Sequence, residues 1–500
     1  MRQAGSPLLR RTVALWMVLV TAAWPIPSGV RSTAWDLAAT PAELDSFVSE
    51  RAEAAGLPGI AYAIVNKGQV VHTAAFGVAG PDGRIMTSDT VLNTASVGKT
   101  FTALAIAQLE ASGALNLDAP VQRYIAFKLA DADAAAQITV RHLLTHTSGL
   151  SAVDGTHPWL LNPDASSADL IARMRDLRPN RPVGGLPEYC NLNYVLLGAV
   201  VEAVSGQEFH NYLADHVYEP LGMDSTFRTA EEARANGFDV ADGYRYLWGV
   251  PVADDVPIAL GAEAAGMQWT TIEDMAHYAA AFADHGTVDG RSLVTAEAGD
   301  GRDYDVTWQP ATWLPDDGFG HSGGWITYTA GIEVLPTRGF AVVTLANANP
   351  GQAFGSQSAF ELAFDTMRVA NGWPVVMDTT TVRTAYLVFD TVALLLLAAV
   401  AVRWWSSRRW FERWRMAGAG RRRRMTAGWV GVDLLLPLAA AVLIPLWATG
   451  LPLTEAWPRM VTAVPDIAMS LAVLCGGLVT LGIWKAAALR EHVRSSIRSF

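Results

Sequence analysis

The sequence predicts an α/β (α+β) domain followed by a bundle of three transmembrane helices, and three observations carry this. Residues 59–77, GIAYAIVNKGQVVHTAAFG, form two apolar, β-rich runs around Asn66-Lys67-Gly68, a hairpin signal with strands covered on both faces. Residues 101–109, FTALAIAQL, are apolar almost all round, as in a helix buried within a core rather than lying on a surface. After residue 376 come three apolar runs, 384–402, 429–449 and 464–484, each near the ~20 residues that a bilayer-spanning helix needs.

Three regions follow from composition: 1–34, 35–375 and 376–500. Residues 1–34 hold four arginines and no acid. Arg10-Arg11 precede an apolar core of 12 residues, TVALWMVLVTAA, and a Pro/Ser/Gly-rich stretch that ends in small residues. This reads as a signal peptide, cleaved after Ala23 or Ala34, with an uncleaved N-terminal anchor as the alternative. The whole chain carries a net charge of −11 and a mean hydropathy of +0.20. The charge is unevenly spread: residues 35–375 hold 18 basic against 41 acidic residues, and residues 376–500 hold 15 against 7. A block at −23 repels phosphates, so no nucleic-acid partner is expected. Cys190 and Cys475 fall in different regions, which predicts no disulfide framework.

Nine arginines lie between the first two apolar runs, and Lys485, Arg490, Arg494 and Arg498 follow the third. The positive-inside rule puts that loop and the C-terminus in the cytoplasm and the middle domain outside, in agreement with an export signal. Trp404, Trp405, Trp410, Trp429 and Trp484 sit where interfacial aromatics belong. Arg421–Arg424 read as a topology determinant, with anionic-lipid binding as the alternative, and membrane lipid is an expected partner of the spans. Asp390 and Asp433 lie within runs, close enough to an end to be hydrated.

Within the middle domain, residues 339–347, GFAVVTLAN, read as a buried strand after a turn at 336–339, and residues 356–370 as a closing amphipathic helix. The chain has four lysines, Lys67, Lys99, Lys128 and Lys485, and one of them forms Ser96-Val97-Gly98-Lys99 at the start of the buried helix. A serine hydroxyl needs an adjacent base to act as a nucleophile, and a buried lysine one turn away can serve. The helix N-terminus adds backbone N–H groups for a developing oxyanion. Taken alone, the stretch is read equally well as a capping serine beside a snorkelling lysine. Two further segments bear on it. PEYCNLNYVLLG, 187–198, holds Tyr189-Cys190-Asn191 before an apolar helix, and GFGHSGGWITYTAGIEVLP, 318–336, holds His321-Ser322-Gly323-Gly324 before a strand. His142 and His146 have the i, i+4 spacing of a zinc pair, but Leu143 stands where a zinc protease has Glu, so neither metal nor cofactor is expected. No G-x-S-x-G elbow lies at a strand–helix junction, which argues against an α/β-hydrolase.

In this order and spacing the three segments resemble the serine β-lactamase and penicillin-binding protein superfamily, and within it the class C β-lactamase-related branch of D-Ala-D-Ala carboxypeptidases and esterases. DTVLNTASVGKTFTALAIAQL (89–109), RHLLTHTSGL (141–150) and AAGMQWTTIEDMAHYAAAF (264–282) extend the likeness, which covers roughly residues 41–370 and is poor over 285–315. The resemblance implies an antiparallel sheet flanked by helices, with a mainly helical subdomain inserted around 114–260. It implies Ser96 as the acylated nucleophile, Lys99 as its base and Tyr189 as the proton shuttle. Asn191, His321, Gly323 and Gly324 become substrate-binding, with the N–H groups of Ser96 and Gly324 as the oxyanion hole. His321 replaces the lysine of the Lys-Thr-Gly pattern, and Cys190 stands where Ser or Ala is more usual. The expectation is a membrane-tethered serine hydrolase of the bacterial cell membrane, multi-pass, with its domain extracytoplasmic. It acts on a small-molecule or peptidoglycan/teichoic-type envelope substrate. The alternative is a sensor or scaffold that binds an envelope ligand and signals through its spans.

Overall fold

The computed structural model describes residues 37–156, 162–254, 256–284, 286–288, 291–292, 309–310, 318–350, 358–376, 381–449 and 465–498. The expected signal peptide lies outside them, as does most of the poorly matching 285–315 stretch.

The chain opens with α1, Pro41–Ala55, started by a capping box in which Thr40 and Glu43 satisfy each other's backbone N–H groups. Then come β1, Gly59–Asn66, and β2, Gln69–Gly77, in antiparallel register with Ile60 opposite Phe76. A short turn, Ala95–Gly98, leads into α2, Lys99–Ala111. Further along lie α3, Asn191–Ser205, and α4, Ile272–Ala283. The domain closes with β3, Phe319–Gly324, β4, Thr329–Leu335, β5, Phe340–Ala346, and α5, Ser358–Ala370.

The sheet runs β2-β1-β5-β4-β3 with Gln309–Pro310 on the far edge, every pairing antiparallel. Pairing of β1 with β5 joins the two ends of the domain, so the described elements between β2 and the Gln309–Pro310 edge are inserted into the sheet. The side-chain period of two explains the unbroken apolar run of β1. Ala61, Ala63 and Val65 face the core that holds α2 and α4, while Ile60, Tyr62 and Ile64 face the core under α1 and α5. The expectation for β2 needs correcting: it is the edge strand, and its residues are only half-buried. The insertion is mainly helical, as expected, but it also holds a hairpin, Tyr244–Leu247 with Val250–Ala253, that the sequence reading did not foresee. Tyr244 and Tyr246 of this hairpin join the α1/α5 core.

Beyond the domain, α6 is Thr381–Trp405, α7 is Ser407–Met416, α8 begins at Ala419–Val430 and continues through a π-helical turn, Gly431–Leu435, into Leu436–Thr449, and α9 is Pro465–Arg498. Segments 386–405, 419–445 and 467–492 are long and apolar enough to cross a membrane. The Tyr246 ring stacks on Tyr386 of α6 at 5.7 Å, so the unforeseen hairpin ties the domain to the first of these helices. Cys190 and Cys475 are both buried and free.

Asp433 is not hydrated, which overturns the sequence expectation. It is fully buried on the π turn, where Lys485 Nζ donates to it at 2.6 Å and Arg403 pairs with its other oxygen. Side chains from α6, α8 and α9 meet here, so two cations converge on the one carboxylate. Lys485 also lies over the Trp410 ring at 4.9 Å. Removing one partner strands the buried charge that remains. Asp433→Leu is therefore expected to destabilise the helix assembly by about 3–5 kcal/mol. Adding Lys485→Met should recover much of that loss. Thermal unfolding of the detergent-solubilised full chain checks both; a single variant as stable as the double would remove the clasp.

Candidate active site

The Ser96 turn is clamped by the chain on both sides. Leu92–Asn93 pairs with Trp269–Thr270, and Thr94 N donates to Gln268 O at 2.9 Å. Asn93 then holds the two flanks together: its Oδ1 accepts from Ala95 N at 2.8 Å and its Nδ2 donates to Met267 O at 2.9 Å. Met267 N closes the loop onto Ala95 O at 3.0 Å. Within this clamp Ala95 and Met267 adopt left-handed φ values of 45° and 80°. Such strain costs of order 1–3 kcal/mol per residue and persists only where neighbours enforce it. Gly98 is required by crowding, because a Cβ there would sit 1.7 Å from Gln268 Oε1.

Ser96 is 8 % exposed and Lys99 not at all. Lys99 Nζ lies 3.2 Å from Ser96 Oγ and 2.7 Å from Asn191 Oδ1, and also donates to the carbonyl of Ala265. Burial pulls its pKa down from 10.5 to about 7. A neutral amine has two N–H donors and one lone pair. Two donors satisfy the two carbonyl oxygens, and the lone pair is left for the Ser96 hydroxyl. On the other side Tyr189 donates to Ser96 Oγ at 2.6 Å. Its ring is partly open to solvent, while its hydroxyl is turned inward, where burial holds the pKa above the ordinary phenol range. It stays protonated and serves as a donor.

Asn191 opens α3. Its Nδ2 donates to Gly155 O at 2.7 Å, which aims Oδ1 at Lys99. His321 lies on β3 opposite Ile332 and is 5 % exposed. Burial, then the nearby Lys99, depress its pKa to about 4. Gly323 lies two residues on, against the Ser96 turn: a Cβ there would meet Thr94 O at 2.6 Å and Ser96 N at 3.1 Å. Gly324, at the strand end, is exposed. The fold thus brings together Ser96, Lys99, Tyr189 and Asn191 by direct hydrogen bonds, and sets Gly323 against the same turn.

One residue of the site had no role in the sequence reading. His146, at φ 55°, packs its ring 4.6 Å from Tyr189 and 5.3 Å from Tyr194. Its Nδ1 accepts from Cys190 N and lies 3.1 Å from Asn193 Nδ2, so it pins the Tyr189–Asn191 segment from behind. Burial, with Lys99 and His321 nearby, takes its pKa to about 3, and the ring stays neutral. The i, i+4 pair with His142 was the available signal, but only as a zinc pattern. Among the described residues no group of three or more His, Cys, Asp or Glu side chains is placed to hold a metal.

A five-stranded antiparallel core with helices on both faces, beside a serine–lysine–tyrosine cluster, fits the β-lactamase and penicillin-binding protein superfamily. The Beta-lactamase family profile matches residues 44–364, and the chain belongs to that family. It is 28 % identical over 324 residues to Penicillin-binding protein 4 of Amycolatopsis lactamdurans, a match covering 60 % of this chain and 83 % of that protein. It is 26 % identical over 322 residues to Unguisins hydrolase ungD' of Aspergillus campestris, covering 58 % of each. With Protein flp of Staphylococcus aureus it shares 29 % identity over 239 residues, 47 % of each. The chain therefore spans little more than half of the second relative's length and about half of the third's. The octameric penicillin-binding protein homologue from Pyrococcus abyssi superposes with a TM-score of 0.56 at 27 % identity, over 67 % of this chain and 78 % of that one.

Proposed function

We propose that the chain is a membrane-tethered hydrolase that works through a Ser96 acyl-enzyme on peptide or ester substrates of the cell envelope. The observation that carries this reading is the placement of Ser96 Oγ between the Tyr189 hydroxyl at 2.6 Å and Lys99 Nζ at 3.2 Å. Neutral Lys99 takes the Ser96 proton as Oγ bonds to the substrate carbonyl carbon. The resulting oxyanion is held by the N–H groups of Ser96 and Gly324. Lys99, through Tyr189, returns the proton to the leaving nitrogen or oxygen, which departs and leaves the acyl-enzyme. Water then attacks, its proton passes to the same pair, and Ser96 is regenerated. Asn191 holds Lys99 in place and offers its amide to the substrate. Relatives named as a hydrolase and as a penicillin-binding protein are both compatible with acyl transfer to serine.

The three apolar helices would hold the domain at the membrane. With the arginine-rich α7 and the start of α8 in the cytoplasm, the domain faces outward. The test is to react the detergent-solubilised full chain with p-nitrophenyl acetate, quench in acid and map the acetyl group by mass spectrometry. Acetylation of Ser96 is expected, and its loss in Ser96→Ala. Acetylation elsewhere, with Ser96 unmodified in a folded chain, would refute the reading.

A further inference from the structure

We propose that His321 selects substrates whose leaving side is uncharged and offers a hydrogen-bond donor, such as a neutral amide or alcohol, and rejects those bearing a free carboxylate there. The inference rests on the acyl-enzyme reading and narrows its substrate class.

One hydrogen bond fixes the His321 tautomer. His321 Nδ1 lies 2.8 Å from Ser322 O. A carbonyl oxygen only accepts, so Nδ1 carries the proton. In the neutral ring Nε2 then has a bare lone pair. A carboxylate meets that lone pair with repulsion; an N–H or O–H meets it with a hydrogen bond. Binding a carboxylate would take a second proton on the ring. That would place a cation in a pocket that leaves His321 5 % exposed, close to Lys99. Burial first and the nearby Lys99 second oppose it, and together they depress the pKa to about 4.

His321 is also on the face of β3 that meets the Ser96 turn, the space that the acyl-enzyme reading gives to the leaving side. On a strand, residues two apart share a face, so His321 is on the same side as Gly323, which abuts Thr94 O and Ser96 N. Among the described residues the cation beside the Tyr189 ring is Lys99, 5.0 Å from its centroid, and the acyl-enzyme reading needs that amine neutral. Arg181 is paired with Glu188 at 2.7 Å, an ion pair that nets to zero. Asp154, an anion, immediately precedes Gly155, whose carbonyl holds Asn191. With Lys99 neutral, Arg181, Glu188 and Asp154 together leave one negative charge beside the Tyr189 segment, which disfavours a carboxylate.

The test uses matched esters of an N-acylglycine with 3-hydroxybenzoate and with 3-hydroxybenzamide, so that the leaving groups differ in charge. The protein is the full chain in detergent, and the variants are His321→Lys, His321→Gln and Ser96→Ala. Wild type should hydrolyse the benzamide ester with a kcat/KM about tenfold or more above that of the benzoate ester. His321→Lys should reverse the order. His321→Gln, whose amide can donate, should narrow the gap without charge. Acetylation of Ser96 by p-nitrophenyl acetate shows which variants are folded. If wild type takes the benzoate ester equally well or better, the inference falls while the acyl-enzyme reading stands. It also falls if wild type prefers the benzamide ester and neither folded His321 variant changes that ratio. If neither ester is turned over in a Ser96-dependent way, the acyl-enzyme reading itself falls and takes the inference with it.

Discussion

Lys99→Met is expected to lower kcat/KM for ester hydrolysis by about 10²- to 10⁴-fold, the range for removal of a positioned general base. Met fills much of the same volume but has no lone pair to receive the Ser96 proton. Lys99→Arg should be no better, because a guanidinium keeps its proton throughout the working range. The pH profile gives the sharper test. In wild type the base is the neutral amine, so activity should rise as pH climbs through about 7, where Lys99 loses its proton. His321 and His146 titrate near 4 and 3, too low to be confused with that limb. Lys99→Met should lose the limb together with the rate. A wild-type profile flat between pH 6 and 8 would show that Lys99 is not the titrating base.

The same depressed pKa has a consequence for stability. The folded-state value of about 7 lies below the ordinary 10.5 of the unfolded chain. Between those two values the unfolded state binds more protons, so wild-type stability rises with pH across that window. Below pH 7 both states are protonated, and the cost of the buried charge is fully present. At 1.36 kcal/mol per pKa unit the cost approaches about 5 kcal/mol at most. Lys99→Met has constant costs of its own, since Asn191 Oδ1 and Ala265 O lose their donor. Its stability relative to wild type should still improve as pH falls from 10.5 to 7 and then level off. Denaturant titrations at several pH values measure that slope.

What could be read from the sequence was whatever leaves a local trace. A strand covered on both faces, such as β1 or β5, shows as an unbroken apolar run, and a helix sunk in a core, such as α2, does the same. The Ser96–Lys99 spacing is also local, because a helix sets it. Edge position is not local: β2 reads as a β-rich run beside β1, and only the pairing order places it at the edge of the described sheet. The hairpin at 244–253 was hidden because Pro251 interrupts one strand and its apolar partners lie on α1, α5 and α6. Asp433 was misjudged for the same reason. Hydropathy sees one helix at a time, while the two cations that neutralise it lie 30 and 52 residues away. The clamp of Asn93 and Met267 and the backing of Tyr189 by His146 also join segments far apart in the chain, and nothing in their composition announces a role.

Gly323→Ala is expected to cost about 10²- to 10³-fold in kcat, the loss typical of one misplaced oxyanion donor. The added Cβ would sit 2.6 Å from Thr94 O and 3.1 Å from the backbone nitrogens of Ser96 and Val97. These are backbone atoms, so no side-chain rotation relieves the contact. Either β3 shifts away or the Ser96 turn does. β3 is held along its whole length by β4, from Phe319 opposite Val334 to Gly324 opposite Thr329. The Ser96 turn is held as firmly by the Asn93 clamp. Neither can yield without strain, which typically costs 1–3 kcal/mol for an overpacked site. Whichever moves, the N–H of Ser96 and that of Gly324 no longer converge on one oxygen. Gly324→Ala separates crowding from the mere loss of a glycine: among the described residues its Cβ would meet Asn349 Nδ2 alone, at an ordinary 3.5 Å, so its melting temperature should stay near that of wild type. The measurement is kcat/KM beside the melting temperature for both variants. If Gly323→Ala stays within about threefold of wild type in kcat, the close approach of β3 to the Ser96 turn has no part in stabilising the oxyanion.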